Sequence, residues 1–283
     1  MKRPTLSLLS CSLILAFGLT TVRAAVFNDD VGLQLYSLRA QFTKNVPETI
    51  KKVRDFGFKK VELAGTYNLS PEKFKQMLDE NKLKAVSGHN AFDRYDKDAE
   101  GIAREAKVLG LEYVGCAWIP HDGEFDEAEC RKAIEVFNRA GEALAKHGLK
   151  FFYHCHGYEF RAHGAGTFMD LLMKETNPKF VRFQMDVFWV KHPGADPVQW
   201  LEKYPGRWEL MHVKDMRKGL VGDLTGKADV KNDVAVGTGQ MDWPVILKAA
   251  KSSGVKHYFI EDESPTVEDQ IPQSLGYLKT VKW

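Results

Sequence analysis

The chain has 283 residues, 44% of them hydrophobic, and its formal net charge at pH 7 is +2. A charge so close to zero does not favour a nucleic-acid-binding protein, which usually carries a basic excess on one face. Four cysteines in a chain of this length are too few for a disulfide scaffold, and the length is sufficient to build a core by burial alone.

The first residues have the pattern of a secretory signal peptide. The basic start Met1-Lys2-Arg3 precedes an uncharged apolar stretch over residues 6–19, and Val22-Arg23-Ala24 has the small-x-small pattern of a cleavage site. A lipoprotein anchored through Cys11 is a weaker alternative, because most of the apolar stretch follows that cysteine. We therefore predict a signal peptide over residues 1–24 and an exported protein, periplasmic or secreted.

Cleavage after Ala24 leaves a domain of residues 25–283 and removes three basic residues and no acid, which changes the net charge to −1. No later stretch is long and apolar enough to span a bilayer. The remaining cysteines, Cys116, Cys130 and Cys155, can form at most one disulfide. Cys155 is expected to pack as a small apolar group, because no basic partner that would activate a thiolate is evident.

After the signal peptide, one pattern repeats eight times: a short apolar run and then a segment with helical spacing. The runs predict strands at residues 31–36, 60–64, 84–88, 111–115, 149–154, 180–185, 208–213 and 257–260. Helices are predicted at residues 47–56, from 70, at 97–109, 127–146 and 168–175, from 197, and at 244–252 and 266–278. Strict alternation over about 260 residues is typical of a (β/α)8 TIM barrel with a single domain. A doubly wound open sheet is the alternative, but the first strand is not followed by its Gly-x-Gly-x-x-Gly signature.

Ionisable residues collect where the strands end, which is the edge of a TIM barrel that carries the active site. Each of them alone has an ordinary explanation as a helix cap or a solvated loop residue, but their concentration at one edge favours a function. They are Glu62, His89, His154, His156, Glu159, Asp186, His212, Lys214, Asp215, Glu261, Asp262 and Glu263.

Three carboxylates and one imidazole in this set, from Glu159, Asp186, His212 and Glu261, are suitable ligands for one divalent metal ion. Mn²⁺, Mg²⁺, Co²⁺ and Zn²⁺ all remain open from the residue types. Such a site leaves coordination positions for two substrate oxygens, and a metal-bound carbonyl loses its α-proton more readily. A carboxylate at the edge of the metal can move that proton.

The chain resembles the sugar phosphate isomerase/epimerase family, the xylose isomerase-like TIM barrels, over essentially all residues after the signal peptide. The resemblance lies in residues 32–39 (GLQLYSLR), 61–65 (VELAG), 87–89 (SGH), 153–160 (YHCHGYEF), 185–197 (MDVFWVKHPGADP), 212–215 (HVKD), 236–247 (VGTGQMDWPVIL) and 258–264 (YFIEDES). It implies a metal held by Glu159, Asp186, His212 and Glu261, with Glu159 and Glu261 also acting as the acid–base pair. It further implies a substrate pocket, to which we assign Glu62, His89, His154, His156, Trp189 and Lys214.

The sequence departs from the family pattern at two places, and the position of the last ligand is open. Cys155 stands where family members often have Asn, and Trp189 stands where the epimerases usually have a His. Glu263 competes with Glu261 for the position of the last ligand. The missing His also disfavours the DNA-repair endonucleases of the same superfamily, which need a cluster of several zinc ions.

The resulting prediction is an exported, metal-dependent sugar isomerase or epimerase that works through an enediolate intermediate. Export favours a free sugar or glycoside as the small-molecule substrate over a phosphorylated one. The first alternative is a 3-keto-glycoside lyase or hydrolase with the same metal and acid–base pair, in which loss of the α-proton expels the aglycone and Trp189 stacks on the sugar. The second is a sugar-binding protein without catalysis. Neither a nucleic-acid partner nor a membrane span is expected, and the oligomeric state is left open.

Overall fold

A computed structural model describes residue 27 and residues 29–283, and its eight main strands are parallel and form a closed barrel. They are Val31–Gln34 (β1), Lys60–Leu63 (β2), Lys84–Asn90 (β3), Tyr113–Cys116 (β4), Lys150–His154 (β5), Val181–Asp186 (β6), Trp208–Val213 (β7) and His257–Ile260 (β8). Each strand pairs with its neighbours in sequence, and β8 closes the barrel on β1. The prediction of a TIM barrel is confirmed. The predicted signal peptide lies outside the described residues.

Eight helices follow the strands. They are Val46–Asp55 (α1), Pro71–Glu80 (α2), Ala99–Leu109 (α3), Glu127–Ala145 (α4), Phe168–Glu175 (α5), Pro197–Lys203 (α6), Trp243–Ser253 (α7) and Val267–Leu278 (α8). Side-chain caps begin most of them; Ser70, for example, accepts a hydrogen bond from the Lys73 N–H, and proline occupies the first helical position. In the part of the chain that the structure describes, no helix has the length and apolarity needed to cross a membrane.

Short elements modify the strand ends that the sequence predicts. The predicted strand 31–36 stops at Gln34, because its side chain accepts the Tyr36 N–H and starts the 3-10 turn Leu35–Leu38. Additional short helices, Arg39–Phe42, Phe92–Lys97 and Val187–Lys191, follow β1, β3 and β6. The predicted strand 84–88 extends to Asn90, so that His89 belongs to β3 itself. Most of these differences lie at the carboxyl ends of the strands, where the polar residues collect.

Apolar side chains fill the inside of the barrel. One buried cluster, Val86, Tyr113, Phe152, Leu210 and Phe259, lies apart from the larger core that contains most of the other buried apolar residues. A Cβ atom on Gly32 would lie 2.6 Å from a carbon of the Phe259 ring, so this strand position excludes any side chain. Because successive strand residues point to opposite faces, the members of this cluster identify the inward positions of their strands.

At the amino-terminal end of the barrel, one carboxylate accepts hydrogen bonds from four side chains. Glu209 in β7 accepts hydrogen bonds from Tyr113 Oη (2.7 Å), Lys150 Nζ (3.3 Å), Arg182 Nε (2.8 Å) and Lys256 Nζ (2.8 Å). Burial alone would raise the pKa of Glu209, but hydrogen bonds from Lys256, Tyr113 and Arg182 outweigh it and lower the pKa to about 2. This network joins the lower ends of β4 to β8.

Candidate active site

One polar side chain points inward at the carboxyl end of each of the last four barrel strands. In β5 and β7 the polar residue follows an inward apolar residue by two positions: His154 follows Phe152, and His212 follows Leu210. Glu261 follows Phe259 in the same way just after β8, and Asp186 ends β6. His154, Asp186, His212 and Glu261 are called the four-residue group below.

The ligand atoms of the four-residue group all lie within 4.8 Å of one another. His212 Nδ1 is 2.9 Å from Glu261 Oε2 and 3.6 Å from Asp186 Oδ2, and His154 Nε2 is 3.9 Å from Asp186 Oδ2. Asp186 Oδ2 is buried and has no hydrogen-bond partner. A buried carboxylate oxygen without a partner is costly, and a cation between these atoms would satisfy it. The group is therefore suited to hold a divalent metal ion.

Glu62 fixes the orientation of His212 from below. Its carboxylate accepts the His212 Nε2–H at 2.5 Å, so that Nδ1 of the same ring faces the group. Burial alone would raise the pKa of Glu62, but the charges of His89 and His212 hold it well below its usual range. Despite burial, Glu261 and Glu62 raise the pKa of His212 well above its usual value. The negative field that favours a proton on this ring also favours a metal cation beside it.

A second set of hydrogen bonds determines which nitrogen of His154 faces the group. The Gln184 Nε2 amide donates to Glu62 at 2.8 and 3.1 Å, which leaves Oε1 of the amide as an acceptor for the His154 Nδ1–H at 2.9 Å. Burial and the neighbouring His212 keep the pKa of His154 well below its usual value. The ring is therefore neutral, and the lone pair of Nε2 points toward Asp186.

The structure does not bring Glu159 into the four-residue group. Glu159 lies in the 3-10 turn Tyr158–Phe160, and its fully buried carboxylate accepts hydrogen bonds from Tyr153 Oη and from the His156 N–H at 3.0 Å. Burial raises its pKa to about 7. This differs from the sequence prediction for a physical reason. The turn directs the Glu159 side chain back toward its own strand, whereas His154 is still within β5 and points inward.

Above the four-residue group lies a cavity of about 920 Å³. Of the residues that the sequence assigned to the substrate, the structure brings five to its wall: His89, His154, His156, Trp189 and Lys214. Glu62 is not among the lining residues, since it lies beneath His212 and has no exposed surface. His156 stacks on Trp189 with ring centroids 5.6 Å apart, and its Nδ1 is buried without a hydrogen-bond partner.

Lys214 separates the two glutamates that compete for the last ligand position. Its Nζ donates to Glu263 at 2.7 Å and lies 3.5 Å from Asp233 and 3.7 Å from Glu261. Glu263 also pairs with Arg39 at 3.0 Å. The structure therefore brings Glu261, and not Glu263, into the four-residue group. Burial alone would lower the pKa of Lys214, but Asp233, Glu263 and Glu261 raise it well above its usual value, so the ammonium stays charged at the cavity wall.

Comparison with known protein families identifies the family to which this chain belongs. The family model for xylose isomerase-like TIM barrels matches residues 50–281, which is most of the chain. The chain belongs to the xylose isomerase-like TIM barrel family. Membership confirms the resemblance expected from the motifs, and it supports an enzyme whose active site lies at the carboxyl ends of the strands.

Among curated relatives, two enzymes named inosose dehydratase illustrate the range of similarity. The enzyme of Geobacillus thermodenitrificans is 26% identical over 162 residues, 53% of this chain and 53% of that enzyme, so the chain matches about half the length of this relative. The enzyme of Clostridium botulinum is 24% identical over 266 residues, 83% of this chain and 88% of that enzyme. These names describe a dehydration, not an isomerisation.

Solved structures of this family have the same fold. A sugar phosphate isomerase/epimerase from Parabacteroides distasonis is 26% identical, with a TM-score of 0.74 over 88% of this chain and 93% of that one. The IolI protein, solved with a bound zinc atom, has a TM-score of 0.70 at 15% identity over 88% of this chain and 96% of that one. At 15% identity, the similarity to the IolI protein shows only that the two chains share a fold.

Several residues that build the site in this family member carry no obvious motif. Gln34, Ser87 and Gln184 all donate hydrogen bonds to the Glu62 carboxylate, at 2.7, 2.6 and 2.8 Å. Gln34 and Gln184 are neutral amides in barrel strands. Asp233, whose carboxylate lies 3.5 Å from Lys214 Nζ, belongs to the short strand Asp233–Val234, which pairs with Asp215–Met216. The signal that could place His154 in the four-residue group is the two-residue periodicity of β5, because Phe152 and His154 share the inward face.

The three remaining cysteines, Cys116, Cys130 and Cys155, are buried and form no disulfide. Burial raises the pKa of the Cys155 thiol well above its usual value, so this residue is not a reactive thiolate. The expectation that Cys155 packs as an apolar group agrees with its complete burial.

Proposed function

We propose that the protein is a divalent-metal-dependent lyase that removes a β-substituent from a cyclic, hydroxylated ketone, with a 3-keto-glycoside as the substrate. The observation that carries this proposal is that His154 and Glu261 of the four-residue group line the cavity, whereas Glu159 belongs neither to the group nor to the cavity wall. Epimerisation needs two proton-transfer groups on opposite faces of the substrate, and the predicted second carboxylate is not at the cavity. The relatives named inosose dehydratase also support elimination over isomerisation.

His154, Asp186, His212 and Glu261 would hold the metal ion. Two imidazoles and two carboxylates suit Zn²⁺, Mn²⁺ or Co²⁺ better than Mg²⁺, which prefers oxygen ligands alone. When bound, such an ion polarises the ketone and stabilises negative charge on its oxygen. The preference for nitrogen-binding metals follows from His154, which replaces the Glu159 carboxylate of the sequence prediction.

We assign removal of the α-proton to His156. Its ring stands at the cavity wall against Trp189, and its buried Nδ1 has no hydrogen-bond partner in the protein and is therefore available to accept a proton. In the reaction the α C–H bond breaks and its proton passes to His156. The electron pair of that bond forms a double bond between the α and β carbons, and the C–O bond to the leaving group breaks with its electron pair on the departing oxygen, which takes a proton from solvent. Lys214, which stays charged at the same wall, donates a hydrogen bond to an oxygen that gains negative charge.

A sugar isomerase or epimerase, the main prediction from the sequence, is the second candidate. The observation in its favour is the 26% identity to the Parabacteroides distasonis protein that carries this name. Both candidates begin with loss of an α-proton, and they differ in whether a leaving group departs or the proton returns.

The test uses protein that has been treated with a chelator and then reloaded separately with Zn²⁺, Mn²⁺, Co²⁺ or Mg²⁺. Each form is incubated in heavy water with 4-nitrophenyl 3-keto-β-D-glucoside, and release of 4-nitrophenol is followed by absorbance. We expect metal-dependent release, with an unsaturated keto-sugar as the second product, and no release by Asp186→Asn.

Other outcomes of this test are equally informative. Deuterium at the α-carbon of an intact glycoside would replace the lyase by the isomerase or epimerase. Saturable binding without release or exchange would indicate the non-catalytic sugar-binding alternative. Equal release by the chelated and reloaded forms would overturn the role of a metal.

A further inference from the structure

The residues that line the cavity differ between its two sides. All members of the four-residue group come from β5 to β8. Three large aromatic side chains that line the same cavity come instead from the segments after β1, β3 and β4: Tyr36, Phe92 and Trp118. These three residues are called the aromatic arc. A ligand bound at the four-residue group alone would leave the aromatic arc uncovered.

The size of the cavity agrees with a ligand that reaches both sides. Its volume of about 920 Å³ is near the upper end of the roughly 300–1,000 Å³ of pockets that hold drug-sized ligands. One six-membered ring needs only a fraction of this space. The remaining volume borders the aromatic arc and the loop residues Ala228 and Val230.

Trp118 is held firmly at the cavity wall. His121 stacks on the indole with ring centroids 4.7 Å apart, and the edge of the indole meets Tyr158 at 4.9 Å. The hydroxyl of Tyr158 accepts the Ile119 N–H at 2.9 Å, which fixes the segment that carries Trp118. A ring fixed in this way loses little conformational entropy when a ligand stacks on it.

Tyr36 is the exposed member of the aromatic arc. Its side chain is 43% exposed although it lines the cavity, and the Arg39 guanidinium lies 4.4 Å from its ring centroid. The charge of Arg39 is already paired with Glu263. Because the guanidinium covers one face of the Tyr36 ring, the contact that Tyr36 offers to a ligand is the opposite face.

We propose that the aromatic arc is a second subsite, which binds the leaving-group ring of the substrate through an apolar ring face. This proposal rests on the proposed function for the ring at the four-residue group, and it adds the recognition of the group that departs. The leaving ring can be a sugar or an aryl group, since both present an apolar face to tryptophan or tyrosine.

The test compares substrates that share the reacting ring and differ in the leaving group. They are 3-keto-D-glucose, 4-nitrophenyl 3-keto-β-D-glucoside, and 3-keto-cellobiose with the ketone on its non-reducing ring. For the metal-loaded protein, kcat/KM for each two-ring substrate is divided by kcat/KM for 3-keto-D-glucose. We expect Trp118→Ala and Tyr36→Ala to lower this ratio by about 5- to 10-fold each, which is the loss expected for one aromatic contact.

Two kinds of control separate stacking from a general disturbance of the site. Trp118→Phe and Tyr36→Phe keep an aromatic ring and should retain most of the ratio. Val245→Ala changes a side chain that is 48% exposed on α7, outside the cavity, and should leave the ratio as in the unmodified protein. A fall of the ratio for only one two-ring substrate would identify the leaving ring as aryl or as sugar.

An unchanged ratio in both alanine variants would overturn the second subsite while the lyase activity stands. If the unmodified protein turns over none of the three ketones, the proposed function fails instead. In that case the second subsite is tested by equilibrium binding of 4-nitrophenyl β-D-glucoside and of cellobiose, measured by calorimetry. Binding that Trp118→Ala weakens at least about 5-fold supports the subsite, and absent or unaffected binding overturns it.

Discussion

The two ends of the barrel differ in how many hydrogen bonds a buried carboxylate accepts. At the amino-terminal end, both oxygens of Glu209 have two donors each, contributed by β4, β5, β6 and the residue before β8. At the carboxyl end, Asp186 Oδ2 is buried but has no hydrogen-bond partner. Complete pairing stabilises the fold, whereas an unpaired oxygen between two imidazoles remains available to a ligand. The difference indicates which end serves stability and which serves chemistry.

The substitution Asp186→Asn tests the role of the carboxyl end most directly, and we expect it to have the largest effect. The amide keeps the shape of the side chain but cannot supply a charged ligand atom. We expect loss of the bound divalent ion and a fall in kcat/KM of roughly 10³-fold, which corresponds to the several kcal/mol that a metal contributes to a polarised carbonyl. Metal content by mass spectrometry and turnover of 4-nitrophenyl 3-keto-β-D-glucoside measure the two effects. If Asp186→Asn retained both the metal and the turnover, the unpaired oxygen of Asp186 would have no role in metal binding or catalysis.

At the opposite end, Glu209→Gln should act on stability alone. The neutral amide cannot satisfy four donors, three of which belong to cationic side chains, and we expect the free energy of unfolding to fall by about 2–3 kcal/mol. The matched control is Glu112→Gln, which removes an exposed pair with Lys84 at the same end and should cost less than about 1 kcal/mol. Urea unfolding measures both, and turnover should stay unchanged in both.

The contribution of Glu209 should also depend on pH. Its pKa is about 2 in the folded protein and about 4.3 for an unperturbed glutamate. Its stabilising effect is therefore complete above about pH 4.3 and is lost as the pH falls toward 2, because the folded state then takes up the proton that the unfolded state already holds. The difference in Tm between the unmodified protein and Glu209→Gln should shrink over that interval. A difference that stays constant would show that charge is not the cause.

Glu62→Gln sharpens the comparison at the carboxyl end, because Glu62 contacts His212 but not the cavity. The loss of its charge weakens the orientation of the His212 ring, and we expect metal affinity or turnover to fall by about 10- to 100-fold. Ser87→Ala is the matched control, since it removes only one of the hydrogen bonds to the same carboxylate. An effect of Ser87→Ala as large as that of Glu62→Gln would indicate a general loosening of the barrel interior.

The smallest effect is expected for Glu159→Gln. The amide oxygen can still accept from Tyr153 and from the His156 N–H, so turnover should fall by less than about 10-fold and the metal should remain bound. Glu159→Leu removes both acceptors and should lower stability by about 1–3 kcal/mol. A large loss of turnover together with loss of metal in Glu159→Gln would return this residue to the ligand set that the sequence predicts.

The barrel could be predicted from the sequence because each strand is a short apolar run beside a helix-spaced segment. Local residue preferences determine both patterns. The ends of the strands were less predictable, as at Gln34, where a side-chain hydrogen bond to the Tyr36 N–H ends β1 early. Such a bond depends on one conformation that the pattern of apolar residues does not reveal.

The candidate site was predictable in part for the same reason. Asp186, His212 and Glu261 follow inward positions at strand ends, and the structure brings all three together. That His154 rather than Glu159 lies beside these three residues depends on where β5 ends and how the turn Tyr158–Phe160 directs its side chains. The role of Gln184 was also not predictable, because a neutral amide acquires it only through contacts with Glu62 and His154.

The Glu62 carboxylate has a consequence for how such a protein can diversify. It joins side chains from β1, β3, β6 and β7, namely Gln34, Ser87, Gln184 and His212, so the reactive centre is braced by the strands themselves. Trp118 belongs to a connecting segment outside this brace, and Tyr36 contacts the brace only through its backbone N–H, which donates to Gln34. Replacement of those segments can change which molecule is accepted while the reacting atoms keep their positions. The connecting segments can therefore change the substrate range, while the barrel strands preserve the reaction.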